Sequence, residues 1–204
     1  AAYDAGKYGT LQGYAEDVVE IAEELDLKAA VLVGHSVSAM ICALASIKAP
    51  GRFGKLVMVG PSPRYIDDAD YRGGFSREQI EELLDFLSVN YQAWAAATAP
   101  AIMGNPDRPE LGAELVESFC RADPEIAREF ARVTFTSDNR DDLPKVSVPT
   151  LILQCSEDVI APVEVGEYVR DHIAGSQLVR LAATGHCPNI SAPDEVASAM
   201  RTFV

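Results

Sequence analysis

Four short apolar runs, each bounded by turn residues, punctuate the chain at 29–33, 55–59, 150–154 and 177–181. None alternates with polar residues, which is the pattern of a strand covered on both faces. Between them lie stretches with helical spacing. Thr10 is placed to cap a helix reaching about Asp26, with Leu11, Tyr14, Val18, Ala22 and Leu25 on one face. Similar patterns cover 38–48 and 163–173, and a terminal helix from about Pro193 to Phe203 carries Val196, Met200 and Phe203. Alternation of strand and helix predicts an α/β fold with a mostly parallel sheet covered by helices.

Residues 64–142 break the alternation with four helical stretches and no convincing strand. An inserted helical lid is the expectation, with the core formed by 1–63 and 143–204. Ser76-Arg77-Glu78-Gln79 has the form of a capping box, followed by Ile80, Leu83, Leu84 and Leu87 at helical spacing. A second stretch, Asn90 to Met103, contains Tyr91 and Trp94. Pro109 suits the first turn of a third helix, and Asp123-Pro124 a cap for a fourth that carries Ile126, Phe130 and Val133.

Composition narrows the function class. At 204 residues, 48% hydrophobic and 24% charged, the chain fits one compact core with a subdomain, and no apolar run approaches the roughly 20 residues that span a bilayer. Its formal net charge of -14 opposes nucleic-acid phosphates and anionic membrane surfaces. The insertion holds 17 Asp and Glu against 8 Arg, so it carries most of that charge, expected on a solvated outer face. Cys42, Cys120, Cys155 and Cys187 stand far apart without C-x-x-C pairs, which fits reduced thiols in a cytoplasmic protein rather than zinc ligands or disulfides. No metal site or cofactor is expected. The opening Ala1-Ala2-Tyr3-Asp4 has neither an initiator Met nor a signal-peptide pattern, which suggests truncation.

The strand at 29–33 runs into Gly34-His35-Ser36-Val37-Ser38, a serine in a tight turn before a helix rich in small residues. That is the setting of a nucleophile elbow, G-x-S-x-G, with Ser38 standing where the second glycine is usual. A serine oxygen needs a base to take its proton and an acid to orient the base. Of the three histidines, His35 is expected to point away from the turn and His172 to lie exposed at a helix end. His186 falls in the loop after the last strand, where it can hang over the sheet's carboxyl edge. Asp158 follows the preceding strand, with Glu157 as rival acid. Asp158 alone would serve equally as a cap for the helix after Pro162. The order Ser36, Asp158, His186 is that of α/β-hydrolases, not of the trypsin or subtilisin types.

Several segments are more specific: Gly34-His35-Ser36-Val37, Leu56 to Pro63, Gly73-Gly74-Phe75, Asn90 to Trp94, Phe135 to Asp138, Leu153 to Asp158 and Gly185-His186-Cys187-Pro188. Together they resemble the RsbQ-type hydrolases of bacterial stress signalling, which are similar to the plant strigolactone and karrikin receptors. The resemblance implies an α/β-hydrolase fold with a V-shaped four-helix lid over an apolar pocket. It implies Ser36, Asp158 and His186 as catalytic residues and Trp94 and Phe135 as pocket residues, although packing between lid helices would equally explain the two aromatics. Members of the family begin with further strands, one of which leads into a loop carrying an oxyanion donor. Here the Val37 N–H is the donor left, and the strand before Ser36 is expected to have an open apolar edge. The implied function is hydrolysis of an ester or related acyl bond of a small apolar molecule. The alternative is a ligand-sensing module that binds a PAS-containing, PP2C-type phosphatase.

Overall fold

The four apolar runs pair side by side. In the computed structural model, which describes residues 3–204 and so leaves the opening Ala1-Ala2 outside, the strands are β1 (Ala30–His35), β2 (Phe53–Val59), β3 (Thr150–Glu157) and β4 (Gln177–Thr184). They lie in that order, each parallel to the next. The helices are α1 (Leu11–Glu24), α2 (Val37–Lys48), α3 (Arg77–Val89), α4 (Tyr91–Met103), α5 (Pro109–Cys120), α6 (Pro124–Thr136), α7 (Val163–His172), α8 (Pro188–Ser191) and α9 (Pro193–Phe203). The turn of α8 and a 3-10 turn at Arg140–Lys145 lie outside what periodicity predicts, since each is too short to show one.

The central strands explain their own composition. Leu56, Met58 and Ile152 turn to one face, where they pack with Leu11, Ala15, Met40 and Leu44 of α1 and α2 and Val169 of α7. Val57, Val59, Leu151 and Leu153 turn to the other, towards Val196, Met200 and Phe203 of α9. Successive side chains thus enter different cores, and both are apolar, so no alternation shows in the sequence.

The flanking strands depart from the expectation that all four are covered on both faces. Val33 of β1 is 52% exposed, and Val179, Arg180 and Ala182 of β4 are exposed as well. Each has a neighbouring strand on one side only, and the helices pack chiefly over the centre of the sheet. Near the end of β4, where its register with β3 shifts, the Glu195 carboxylate of α9 accepts the N–H groups of Ala182 (2.6 Å) and Ala183 (3.1 Å).

Helix α1 differs in detail from its expected form. Thr10 makes no side-chain cap, and the helix stops at Glu24, where Asp26 at φ 47° turns the chain and leaves Leu25 exposed. His172, expected to be exposed, is half-buried, with its Nδ1–H donating to the Tyr168 carbonyl (2.8 Å).

Helices α3–α6 are inserted between β2 and β3, and their starts follow the local signals. Ser76 Oγ accepts the Gln79 N–H while Gln79 Oε1 accepts the Ser76 N–H. Asn90 Oδ1 caps α4 through Ala93, and Asp123 Oδ1 caps α6 through Glu125 and Ile126. The two ends of the insertion are tied together by the Arg64–Asp138 ion pair (2.6 Å) and by the Asn139 N–H on the Pro63 carbonyl (2.8 Å). Apart from half-buried Asp142, its acids are exposed. No helix among the described residues is long and apolar enough to cross a membrane.

Ile152 lies fully buried in a central strand, in the cluster formed with α1, α2 and α7. Ile152→Ala is expected to cost about 2–5 kcal/mol, read as a lower urea midpoint.

Candidate active site

The turn after β1 is set by sterics. Ser36 has φ 57° and ψ −130°, a conformation that side chains rarely adopt, and α2 begins at the next residue. A Cβ on Gly34 would lie 2.3 Å from the Ser38 carbonyl oxygen, so only glycine fits there. Ser38 itself is exposed, which is why a hydroxymethyl group is tolerated in place of the usual second glycine. The Ser36 N–H donates to the Val59 carbonyl (2.8 Å), extending the β1–β2 ladder into the turn. The Val37 N–H heads α2, where the first N–H groups have no intrahelical acceptor and the helix dipole favours negative charge.

Three side chains predicted from strand ends meet at this edge. His186 Nε2 lies 2.7 Å from Ser36 Oγ, and its Nδ1 lies 2.7 Å from Asp158 Oδ2. An ionised carboxylate can only accept, so Nδ1 carries the proton and Nε2 is left free to accept the serine hydroxyl. Asp158 Oδ1 accepts the N–H groups of Ile160 (2.8 Å) and Ala161 (3.0 Å). One oxygen therefore binds the local turn while the other faces the histidine, so capping and pairing coexist. The Asp158 side chain is fully buried and His186 nearly so. Glu157, the rival acid, is exposed, and only its carbonyl takes part, accepting the Gly185 N–H (2.7 Å).

The loop carrying His186 is braced by the insertion. The His186 N–H donates to the Ile102 carbonyl (2.8 Å), and Thr184 Oγ1 donates to the Gly104 carbonyl (3.2 Å). Asn105 Nδ2 bridges the Met103 (2.7 Å) and Thr184 (3.1 Å) carbonyls. Gly185 has φ 82°, and a Cβ there would sit 1.8 Å from the Met103 oxygen. Gly60, at φ 54° beyond β2, lies so near that its Cβ would meet the His186 ring at 3.4 Å. Both glycines fall in segments that carry the family resemblance, but the sequence did not disclose these close approaches, since each is to a residue distant along the chain.

His35 corrects an expectation. It does not point away from the turn: its ring centroid lies 5.0 Å from that of His186, and its Nε2 is 2.6 Å from the His186 carbonyl oxygen. The sharp turn at Ser36 brings its neighbour back towards the same loop. Burial, and then the nearby His186, push its pKa down to about 4.

Above the edge lies a cavity of about 740 Å³ lined by Ser36, His186, Tyr65, Trp94, Phe130 and Phe135, among others. Trp94 stacks between Tyr91 and Phe119, and Phe135 meets Tyr65 edge-on at 5.1 Å, so both aromatics pack within the insertion and also border the cavity. Four buried polar atoms on its lining residues have no hydrogen-bond partner among the described residues: Tyr14 Oη, Tyr65 Oη, Trp94 Nε1 and Thr134 Oγ1. Burial raises the Tyr65 phenol to about 12, with the neighbouring Ser36 side chain pulling the other way, so it stays protonated. A second hollow, beside Glu16, Glu20, Glu23, Lys48 and Arg52, shares none of these residues. Among the described residues no group of three or more His, Cys, Asp or Glu gathers as a metal would require.

Two outcomes are expected. Gly185→Ala combines a forced left-handed backbone with a clash against Met103 and should lower stability by roughly 2 kcal/mol or more in urea unfolding. His35 takes up its proton near 6.5 when unfolded and near 4 when folded, so its contribution is complete above about 6.5 and is lost as pH falls towards 4. The urea midpoint of His35→Gln should therefore fall less steeply over that range than that of the parent.

Known proteins resemble this chain along nearly its whole length. The pattern of the alpha/beta hydrolase family matches residues 3–199. A probable esterase of Oryza sativa subsp. japonica is 41% identical over 195 residues, covering 95% of this chain and 72% of the relative. The karrikin insensitive 2 receptor CA of Petunia hybrida is also 41% identical, over 199 residues, covering 95% of this chain and 72% of its own length. Among solved structures, a hydrolase from Oleispira antarctica superposes with a TM-score of 0.96 at 39% identity, over 99% of this chain and 74% of the other. With the parallel sheet, the strand-to-helix turn at Ser36 and this continuous similarity, the chain belongs to the alpha/beta hydrolase family.

Proposed function

We propose that the chain is a serine hydrolase that cleaves an ester or related acyl bond of a small, largely apolar molecule. The reading is carried by the two 2.7 Å contacts that join Ser36, His186 and Asp158 at the floor of an aromatic cavity. His186 Nε2 removes the hydroxyl proton as Ser36 Oγ attacks the carbonyl carbon, and Asp158 stabilises the imidazolium. The Val37 N–H, at the positive end of α2, donates to the developing oxyanion. The imidazolium then protonates the departing alcohol, leaving an acyl-serine. Water that gives its proton to His186 releases the acid and restores Ser36. Trp94 and Phe135 contact the substrate's apolar body, as the aromatic lining of the cavity favours. The esterase among the relatives agrees with this class.

A second reading takes the same pocket as a sensor with slow turnover. It is favoured by the bonds between the end of α4 and the His186 loop, which link a wall of the cavity to the base, and by the receptor among the relatives. In that case the insertion acts as a lid whose position signals to a partner, such as a PAS-containing PP2C-type phosphatase in a stress response. The four unpaired thiols suit a reducing cytoplasm.

A fluorophosphonate probe is expected to label the chain at Ser36, and Ser36→Ala to abolish labelling. His186→Ala should slow labelling on the order of 10³-fold or more. Labelling that survives Ser36→Ala refutes the assignment. Ligand-dependent capture of the phosphatase, with turnover too slow to follow, would favour the sensor.

A further inference from the structure

The mechanism above leaves one imidazole beside the reacting groups without a task. We propose that His35 is a positioning residue, which fixes the catalytic base by donating its Nε2–H to the main-chain carbonyl of His186. The inference rests on the reading of Ser36 and His186 as nucleophile and base.

The hydrogen bond fixes the chemistry of the ring. A carbonyl oxygen can only accept, so the 2.6 Å contact requires the proton of neutral His35 to sit on Nε2. The depressed pKa agrees, since it keeps the ring neutral under ordinary conditions. Neutrality matters because the two rings are 5.0 Å apart and His186 becomes cationic during the reaction. A charged neighbour there would oppose that step.

The bond also completes a clamp. The N–H of His186 is held by the Ile102 carbonyl, from the insertion, while its carbonyl is held by His35, from the core. With both peptide groups engaged, the Cα of the base cannot shift without breaking one of them. His35 is moreover the residue that precedes Ser36. The backbone of the base is therefore tied to the turn that carries the nucleophile, and the Nε2–Oγ separation does not depend on the insertion alone. A displacement of about 1 Å in such a pair costs on the order of 10²-fold in rate.

The test compares His35→Leu with His35→Gln, because a glutamine Nε2 reaches about as far as that of histidine and can donate the same bond. The measurement is the second-order rate of fluorophosphonate labelling of Ser36, with melting temperatures to confirm folding. His35→Leu should slow labelling roughly 10- to 100-fold, and His35→Gln should recover most of the loss. Parent-like labelling of His35→Leu, or a glutamine no better than leucine, overturns the inference. A Ser36→Ala control that still labels would overturn the assignment of the nucleophile instead. Independently of any reaction, ¹⁵N NMR of the parent should show His35 protonated at Nε2 and bare at Nδ1 from about pH 6 to about pH 8. An Nδ1-protonated or exchanging ring would sink the proposal.

Discussion

The carboxyl edge of the sheet is organised around the backbone of Ser36, which is held where a residue with a side chain resists going. A conformation of φ 57°, ψ −130° costs on the order of 1–3 kcal/mol and persists only when its surroundings leave no alternative. Here they leave none. The Ser36 N–H is bound into the β1–β2 ladder, α2 starts at the next residue, and the missing Cβ of Gly34 opens the space into which the turn closes. The packing of α2 between α1 and the sheet supplies the free energy that keeps the turn shut.

The rest of the site depends on where that turn presents Ser36 Oγ, and two separate parts of the molecule answer to it. From the core, Asp158 reaches His186 while its second oxygen is consumed by its own turn, so the carboxylate has little freedom to rotate. From the insertion, the end of α4 contributes backbone carbonyls to the loop around His186. The insertion is thus more than a cover. A movement of α4 large enough to break the Ile102 bond would loosen the loop that carries His186, so the shape of the cavity and the geometry beneath it are not independent.

What could be read from the sequence follows the range of the forces involved. The turn at Ser36 and the caps at Ser76, Asn90 and Asp123 are decided by neighbours a few residues away, and each is legible. Central strands β2 and β3 are legible because two apolar faces write an unbroken apolar run. The same run overstates the cover of β1 and β4, since composition does not reveal which strand ends up with only one neighbour; at β1 it is the family resemblance that implies an open edge. Ser36, Asp158 and His186 can be singled out because each follows a strand in a parallel series, and the structure brings those three together. His35 escapes such reasoning because its partner is a backbone carbonyl 151 residues away, and any residue type offers a carbonyl. Ile102 and Met103 are hidden for the same reason.

The grip of Glu195 on β4 gives the two borders of the sheet different characters. Near the end of β4, the N–H groups of Ala182 and Ala183 are already occupied by a carboxylate, which also sets negative charge there. Along β1 no comparable side chain intervenes among the described residues, and Val33 lies open beside backbone that has one partner strand only. A strand laid beside β4 would therefore meet a carboxylate at Ala182 and Ala183, whereas one laid beside β1 would meet Val33 and no such charge among the described residues.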